Sequence, residues 1–380
     1  MAKIKVMAIF GTRPEAIKMA PLVHELRKYP EDIEAQVTVT AQHREMLDQV
    51  LRLFQIEPDY DLNIMQERQT LTDVTVRALT GLEDVIKKAR PDIILVHGDT
   101  TTTFVASLAA FYNQIAIGHV EAGLRTYRKD SPFPEEMNRQ LTGVMADLHF
   151  APTRRAALNL LQEHKTEETI YITGNTAIDA LKTTVRQDYT HPILKRLGSS
   201  RLVLMTAHRR ENWGQPMENI FRAVRRLVDD VEDIQVVYPV HLNPRVQEPA
   251  HAILGGHERI HLIDPLDVLD FHNFAARSYL ILTDSGGIQE EAPSLGVPVL
   301  VLRDTTERPE GVEAGTLKLA GTQEDAVYRL AHQLLTNERL HQEMARASNP
   351  YGDGEASRRI VEAILHYFGR RAQPPAPFGN

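Results

Sequence analysis

The sequence predicts an α/β protein of two domains, each built on a doubly wound parallel sheet with helices on both faces. Short runs of Val, Ile and Leu alternate with stretches of helical period along most of the chain. Uninterrupted apolar strands that alternate with helices are typical of parallel sheets buried on both faces. The alternation stops near residue 172 and restarts near residue 200, so the 380 residues are expected to form two such domains facing across a cleft.

The first half opens with a predicted strand, Ile4–Phe10, followed by a turn over residues 11–15. The same alternation predicts the elements that follow. The further strands are Ala35–Thr40, Asp92–His97, Ile115–Val120 and Leu148–Ala151, and the helices are Ala16–Arg27, Glu45–Phe54, Leu71–Arg90, Thr102–Tyr112 and Pro134–Ala146.

The second half repeats this plan. Its predicted strands are Arg201–Ala207, Gln235–Pro239, Ile260–Ile263, Leu280–Asp284 and Val299–Leu302, and its helices are Pro216–Asp229, Val268–Ala276 and Gly287–Leu295. We place the helix Ile178–Asp188 at the join. The expected divisions are residues 1–173, residues 174–355, a helix within 356–369 that packs back on the first domain, and a Pro-rich, disordered tail at 370–380.

Composition excludes several classes of function. An excess of 51 acidic over 43 basic residues argues against general binding to nucleic acid. Disulfides, thiolate metal sites and a cysteine nucleophile are excluded because the chain has no cysteine. No apolar run approaches the roughly 18 residues of a membrane span, and no signal peptide is evident. We therefore expect a cytoplasmic protein with no membrane partner, and the histidine spacing predicts no metal or other cofactor.

Three carboxylates follow strands of the first half. Asp99 and Glu121 come just after two successive predicted strands, and Glu135 begins the next helix. Ligands of open α/β sheets bind at such positions, and carboxylates that converge there indicate proton transfer. Each also has a simpler interpretation: Asp99 as a helix N-cap, Glu121 neutralised by Arg125, and Glu135 or Glu136 favoured by the helix dipole.

Two strand-to-helix turns, one in each half, have the composition of anion sites. Arg13 lies in the turn after the first strand and Lys18 in the first turn of the helix that follows, where backbone N–H groups already favour negative charge. In the second half, Ser285 precedes two glycines, Gly286 and Gly287, which allow a phosphate to approach the backbone closely. The pair suits a ligand with a phosphate bridge, although an ordinary turn with solvated charges is the alternative.

Basic side chains follow two strands of the second half. His208 and Arg209 come after the predicted strand Arg201–Ala207, and His241 holds a similar place after Gln235–Pro239. They are candidates to bind a diphosphate, or for His208 to act as general acid to a leaving phosphate. The alternative is a solvated charged loop.

The motifs occur together in an order that resembles the bacterial non-hydrolysing UDP-N-acetylglucosamine 2-epimerases. The likeness extends from Ile4 to Phe368. The matching motifs are Phe10–Lys18, Thr40–Arg44, His97–Thr100, His119–Thr126, Pro134–Arg139, Gly174–Thr176, His208–Asn212 and Asp284–Glu291.

This resemblance implies a glycosyltransferase-B-like fold of two Rossmann-like domains. It also implies reversible C2 epimerisation of UDP-N-acetylglucosamine to UDP-N-acetylmannosamine, without a cofactor, by anti elimination of UDP to 2-acetamidoglucal and re-addition. Further implications are a homodimer and a role in supplying N-acetylmannosamine for cell-surface polysaccharide.

The resemblance also implies roles for individual residues. The implied catalytic residues are Asp99, Glu121, Glu135 and His208. Those implied to bind UDP and the sugar are Arg13, Lys18, Arg139, Asn175, Ser285, Gly286, Gly287 and Glu291. An allosteric site for UDP-N-acetylglucosamine is implied at Gln42, Arg68, Arg209 and His241. Which carboxylate removes the C2 proton and which returns it stays open.

Three other functions are compatible with the fold alone. A UDP-sugar glycosyltransferase needs an acceptor site and has no need of three acids around C2. A hydrolysing epimerase releases the free sugar, and a nucleotide-sugar sensor binds without reaction.

Overall fold

A computed structural model describes residues 2–42 and 44–379, so His43 of the matched motif Thr40–Arg44 and Asn380 of the predicted tail lie outside the described residues. The chain divides into two compact units. The first ends at Lys182 and resumes at Gly352, and the second comprises Thr183–Tyr351. Each unit is a parallel sheet with flanking helices, which confirms the predicted two-domain α/β fold class.

The described part of the first unit has a sheet of seven parallel strands in the order β3-β2-β1-β4-β5-β6-β7. Its elements are β1 (Ile4–Phe10), α1 (Arg13–Leu26), β2 (Ile33–Val39), α2 (Arg44–Leu53), β3 (Tyr60–Asp61), α3 (Leu71–Ala89), β4 (Ile93–His97), α4 (Thr101–Tyr112), β5 (Ala116–Val120), α5 (Glu135–Met145), β6 (Leu148–Ala151), α6 (Arg154–Gln162), β7 (Ile170–Ile172) and α7 (Thr176–Thr184).

The second unit has six parallel strands in the order β10-β9-β8-β11-β12-β13. Its elements are α8 (Pro192–Leu197), β8 (Arg201–Thr206), α9 (Gln215–Asp230), β9 (Ile234–Pro239), α10 (Pro244–Leu254), β10 (Ile260–Ile263), α11 (Val268–Ala276), β11 (Ser278–Thr283), α12 (Gly286–Glu291), β12 (Val299–Val301), α13 (Pro309–Glu313), β13 (Leu317–Leu319), α14 (Glu324–Thr336) and α15 (Glu338–Ala345).

Both sheets reverse their strand order at one place. In the first unit this is between β1 and β4, and in the second it is between β8 and β11. The connections leave the sheet in opposite directions there, so a crevice opens at the carboxyl ends of those two strands. Arg13 and Asp99 of the first unit, and His208 and Ser285 of the second, follow these strands. Among the described residues, no helix is both long and apolar enough to cross a membrane.

Helix α1 begins at Arg13, three residues earlier than predicted. Thr12 is its N-cap, and the Glu15 carboxylate accepts a hydrogen bond from the Thr12 N–H at 2.8 Å. Pro14 fits the first turn because an N–H there has no helical partner. Lys18 therefore lies in the second turn of α1 rather than in its first.

Several short or Pro-containing elements were not predicted. Strands β3, β7 and β13 have two or three residues each, too few to show a period. Helix α10 contains Pro249 in its interior, which conflicts with a helical interpretation of the sequence. Helices α6, α14 and α15 were also missed.

The unit boundaries differ from the predicted ones because α7 is anchored in the first unit. Its Asp179 accepts hydrogen bonds from the backbone N–H groups of Ala356 and Ser357, at the start of the final helix α16 (Ala356–Tyr367). Helix α16 packs against α1, with Ile360 and Ile364 fully buried in the first unit's core. The boundaries accordingly fall after Lys182 and before Gly352.

The described residues of the tail follow a defined course, whereas we expected disorder. The Phe378 N–H donates to the Ile172 carbonyl at 2.8 Å, and the Arg359 guanidinium lies 5.6 Å from the Phe378 ring centre. Pro375 is buried. The burial of Pro375 and the cation–π contact of Phe378 offset the entropy that is lost when the tail is ordered.

Candidate functional site

The turn after β1 is joined to the turn after β4 by one buried carboxylate, Glu15. Its Oε2 accepts from the N–H groups of Gly11 and Thr12, and its Oε1 accepts from the Thr100 hydroxyl at 2.6 Å. A Cβ on Gly11 would lie 2.0 Å from the Thr40 hydroxyl oxygen, so only glycine fits. These contacts hold the two carboxyl-terminal turns of the crevice together.

Asp99 follows β4 and lies in an environment that favours its protonated form. Burial raises the pKa of its carboxyl, and nearby Glu121 and Glu135 act in the same direction. Arg139 and Lys18 oppose this, and the Arg139 guanidinium contacts the Asp99 carboxylate at 2.5 Å. The other two predicted carboxylates thus both contribute to the electrostatic environment of Asp99.

Glu121 directly follows β5, in the left-handed backbone region at φ +62°. That conformation costs a non-glycine residue roughly 1–2 kcal/mol. Its Oε2 accepts from the Lys18 ammonium and from the Asn175 amide at 3.0 Å, and His97 Nε2 lies 3.6 Å away. The Lys18 and Asn175 donors thus fix the orientation of the Glu121 carboxyl group.

Glu135 and Glu136 are neighbours in the first turn of α5, and the structure separates their roles. Glu136 is fully buried and accepts from the backbone N–H groups of Thr126 and Tyr127, both at 3.0 Å, and from Gln140. Burial opposes its ionisation, but these bonds outweigh burial and lower its pKa. Glu135 is partly buried, and its side chain makes no hydrogen bond or ion pair with another described residue. Glu136 thus shapes the loop, and Glu135 is available for chemistry.

The simpler interpretation of Glu121, that Arg125 neutralises it, is wrong. The Arg125 guanidinium forms a two-pronged ion pair with Glu163, at 2.7 and 2.8 Å, and its side chain is fully buried. Lys18 occupies the place next to Glu121 instead. Arg13 is partly exposed in the first turn of α1, with no partner among the described residues.

Three buried histidines in β4, β5 and β6 predict acid sensitivity. Burial lowers the pKa of His97 to about 4, of His119 to about 3 and of His149 to about 4, from 6.5. Between pH 6.5 and 4 the unfolded chain binds protons that the folded chain does not, so acid favours unfolding. Each histidine should lower the unfolding free energy by up to about 1.4 kcal/mol per pH unit in this range.

Urea unfolding followed by circular dichroism at pH 7 and pH 5 tests this prediction. His149 lies outside the candidate site. His149→Gln should reduce the pH dependence of the unfolding free energy by the equivalent of about one bound proton. An unchanged slope in this variant would contradict the assignment.

In the second unit, a buried carboxylate fixes the loop after β8. Asp284 Oδ2 accepts from the N–H groups of His208 and Arg209, each at 2.8 Å, and Asp284 Oδ1 lies 3.1 Å from His208 Nδ1. Burial would raise the pKa of Asp284, but His208 and the two N–H groups outweigh it and lower the pKa. The His208 ring is therefore oriented by an ionised carboxylate, with Nε2 left for another partner.

The turn after β11 places Ser285 as the N-cap of α12, with no hydrogen bond from its side chain to the cap. A Cβ on Gly286 would lie 3.7 Å from Arg308 Nη2 and 3.9 Å from Arg209 Nη2. Two guanidinium groups thus lie beside this turn. Glu291, at the end of α12, lies 3.4 Å from His272 Nε2.

The residues implied for regulation are found in both units. In the first unit, the Gln42 N–H donates to the Gly11 carbonyl, while Arg68 is exposed. In the second unit, His241 stacks on His208 with ring centres 5.8 Å apart. The side-chain Oε1 of Gln42 and the Nε of Arg209 are buried without a hydrogen-bond partner among the described residues.

Sequence analysis assigned no role to three residues that organise the candidate site. Glu15 and Asp284 each accept two backbone N–H groups, and His272 contacts Glu291. The position of Glu15 three residues after Thr12 is a capping-box signal that could have identified the first. Only tertiary contacts identify the other two.

Comparison with known proteins gives consistent matches over the whole chain. The family model described as UDP-N-acetylglucosamine 2-epimerase matches residues 24–365. A UDP-N-acetylglucosamine 2-epimerase of Bacillus subtilis is 68% identical over 378 residues, covering 100% of this chain and 99% of the relative.

Solved structures agree with these matches. A UDP-GlcNAc 2-epimerase from Neisseria meningitidis, bound to UDP-GlcNAc, has a TM-score of 0.85 and 50% identity, with 96% of this chain and 100% of that one covered. S. aureus MnaA, solved with UDP, has a TM-score of 0.88 and 61% identity, with 99% and 100% covered.

Proposed function

This chain belongs to the UDP-N-acetylglucosamine 2-epimerase family, whose members are isomerases, and we propose that it interconverts UDP-N-acetylglucosamine and UDP-N-acetylmannosamine by elimination and re-addition of UDP. The observation that carries this proposal is the placement of Asp99 and Glu121 after the neighbouring strands β4 and β5, with Glu135 on helix α5, whose Arg139 contacts Asp99. Inversion at C2 without a redox cofactor requires acid and base groups on both faces of the sugar, and three carboxylates supply them.

The chemistry begins at the C1–O bond. The C2 proton is not adjacent to a carbonyl and is only weakly acidic, so cleavage of the C1–O bond runs ahead of proton removal. Positive charge then develops on C1 and the ring oxygen. Glu135, which has no partner among the described residues, provides a negative charge that stabilises it. The products of this half-reaction are 2-acetamidoglucal and UDP.

Two of the carboxylates are assigned to opposite faces of C2. Glu121, held as an acceptor by Lys18 and Asn175, takes the proton from UDP-N-acetylglucosamine. Asp99, whose pKa burial raises, delivers a proton to the opposite face as UDP adds back. In the reverse direction the two exchange roles, because the reverse reaction passes through the same states in the opposite order.

The second unit binds the charged part of the substrate. Negative charge on the departing diphosphate is stabilised by His208 and by the N–H groups at Gly286 and Gly287. The contact between Asp284 Oδ1 and His208 Nδ1 orients the ring and leaves Nε2 for the diphosphate. Glu291 accepts hydrogen bonds from the ribose hydroxyls. Arg13 adds positive charge from the first unit.

Proton NMR in deuterated water tests the function. The purified protein is incubated with UDP-N-acetylglucosamine, and C2 is followed over time. We expect UDP-N-acetylmannosamine to appear with deuterium at C2. Inversion with retained hydrogen would contradict elimination, release of free N-acetylmannosamine would indicate a hydrolysing enzyme, and binding without exchange would indicate a sensor.

Regulation and assembly form part of the same proposal. UDP-N-acetylglucosamine binds a second site at Gln42, Arg68, Arg209 and His241, which is supported by the buried, unpartnered polar atoms of Gln42 and Arg209. The rate of the reverse reaction, measured with and without added UDP-N-acetylglucosamine, tests for this regulatory site. The enzyme acts in the cytoplasm and supplies N-acetylmannosamine for cell-surface polysaccharide.

A homodimer is supported by an apolar face on three adjacent helices of the first unit. Helix α4 packs between α3 and α5, and the exposed fractions of Val76, Phe111, Tyr112 and Val144 on these helices are 57%, 59%, 67% and 71%. Large apolar patches of this kind mark association surfaces. Sedimentation velocity distinguishes a dimer from a monomer.

A further inference from the structure

Helix α11 of the second unit contains a buried histidine between a carboxylate of the candidate site and the chain segment that begins the unit. His272 is 4% exposed. Its Nε2 lies 3.4 Å from Glu291 Oε2, and its Nδ1 lies 2.7 Å from the hydroxyl oxygen of Thr184. Both nitrogens of one ring are thus used, one towards Glu291 and one towards Thr184.

The two oxygens of Glu291 face different groups. Oε2 faces His272, whereas Oε1 lies 3.9 Å from where a Cβ of Gly287 would be, beside the turn that begins α12. Glu291 Oε1 is therefore the oxygen directed towards the nucleotide-binding turn. A carboxylate with one oxygen engaged presents the other in a narrower range of orientations.

The ring of His272 is itself held in place from the other side. Asn273 Nδ2 donates to the Thr184 carbonyl at 2.8 Å, and Asn273 Oδ1 accepts from the Arg186 N–H at 2.9 Å. Thr184 and Asn273 are fully buried. This arrangement leaves His272 little freedom to rotate, so its Nε2 is directed at Glu291 before any ligand binds.

We propose that His272, oriented by Thr184, is a positioning residue that sets the Glu291 carboxylate for the ribose hydroxyls and so determines the preference for a ribonucleotide. This inference rests on the proposed role of Glu291 in ribose binding. A carboxylate free to rotate would lose much of this preference, because hydrogen bonds weaken steeply as their geometry deteriorates. His272 does not touch the substrate.

Calorimetric affinities for UDP and 2′,3′-dideoxyuridine diphosphate separate positioning from a merely structural role. The full-length protein should prefer UDP by about 10- to 100-fold, the range expected for hydrogen bonds to a charged group. His272→Phe should reduce this preference by at least about fivefold, with affinity for the dideoxy compound within about twofold of the original. His272→Gln, which can place an N–H near the position of Nε2, should restore most of the preference.

Thr184→Val provides a milder second variant in case His272→Phe does not fold, and it should reduce the preference about two- to threefold. Equal weakening of both ligands in the histidine and threonine variants would overturn the inference. Glu291→Gln distinguishes a failure of the proposed role of Glu291 from a failure of the role of His272. If this variant keeps the ribose preference, the proposed role of Glu291 fails; if it alone loses the preference, only the role of His272 fails.

Discussion

Glu135→Gln should lower kcat by about 10²–10⁴-fold while the melting temperature stays the same. The Glu135 side chain makes no hydrogen bond or ion pair with a described residue, so the fold does not depend on its charge. The Glu135 charge contributes to the raised pKa of Asp99. We propose that it lies next to the positive charge that develops on the sugar ring. Because this stabilisation exists mainly in the transition state, KM should change little. Steady-state kinetics with UDP-N-acetylglucosamine measures both constants.

Glu136→Gln is the matched control, since it makes the same chemical change one residue away. The Glu136 carboxylate is fully buried and accepts hydrogen bonds from two backbone N–H groups and from the Gln140 amide. An amide at this position leaves a buried donor without an acceptor, which costs about 1–3 kcal/mol and lowers the melting temperature by roughly 3–10 °C. If Glu135→Gln destabilises the protein as much as Glu136→Gln does, the separation of roles is wrong.

The positions of the three carboxylates could be predicted because each depends on local pattern. Asp99 and Glu121 directly follow apolar strands, and Glu135 begins a helix. Parallel strands end at one edge of the sheet, so short-range signals were enough to bring them together.

Their partners could not be predicted in the same way. Lys18 pairs with Glu121 across 103 positions of the chain, and Arg125 pairs with Glu163 across 38. The sequence places Arg125 close to Glu121, but the backbone at Glu121 has positive φ. Side-chain direction after such a turn is set by tertiary packing, and no periodicity encodes it.

The boundary between the units lies later in the chain than residue 173 for a related reason. Helix α7 follows the expected end of the first domain, and its pattern alone suits either unit. Its Asp179 pairs with backbone groups of Ala356 and Ser357, at the opposite end of the sequence. Such contacts are fixed only when the last helix returns to the first unit.

The assignment of Glu121 and Asp99 to opposite faces of C2 predicts a crossed pattern of isotope exchange. Either Asp99→Asn or Glu121→Gln should reduce epimerisation by about 10²–10⁴-fold. In deuterated water, Asp99→Asn should still place deuterium at C2 of UDP-N-acetylglucosamine, because Glu121 removes that proton and returns deuterium to the same face. Glu121→Gln should exchange C2 of UDP-N-acetylmannosamine instead.

Glu163→Gln controls for the loss of a carboxylate, since Glu163 pairs with Arg125 in the same unit and has no proposed contact with substrate. It should keep epimerisation and exchange of both epimers. Loss of exchange of both epimers in one site variant, with both retained in the other, would mean that one base serves both faces. The reversed pattern would exchange the two assignments, and then the raised pKa of Asp99 would mark the group that takes the proton from UDP-N-acetylglucosamine. The crossed experiment therefore separates one-base from two-base chemistry and, within the second, decides which carboxylate serves which face.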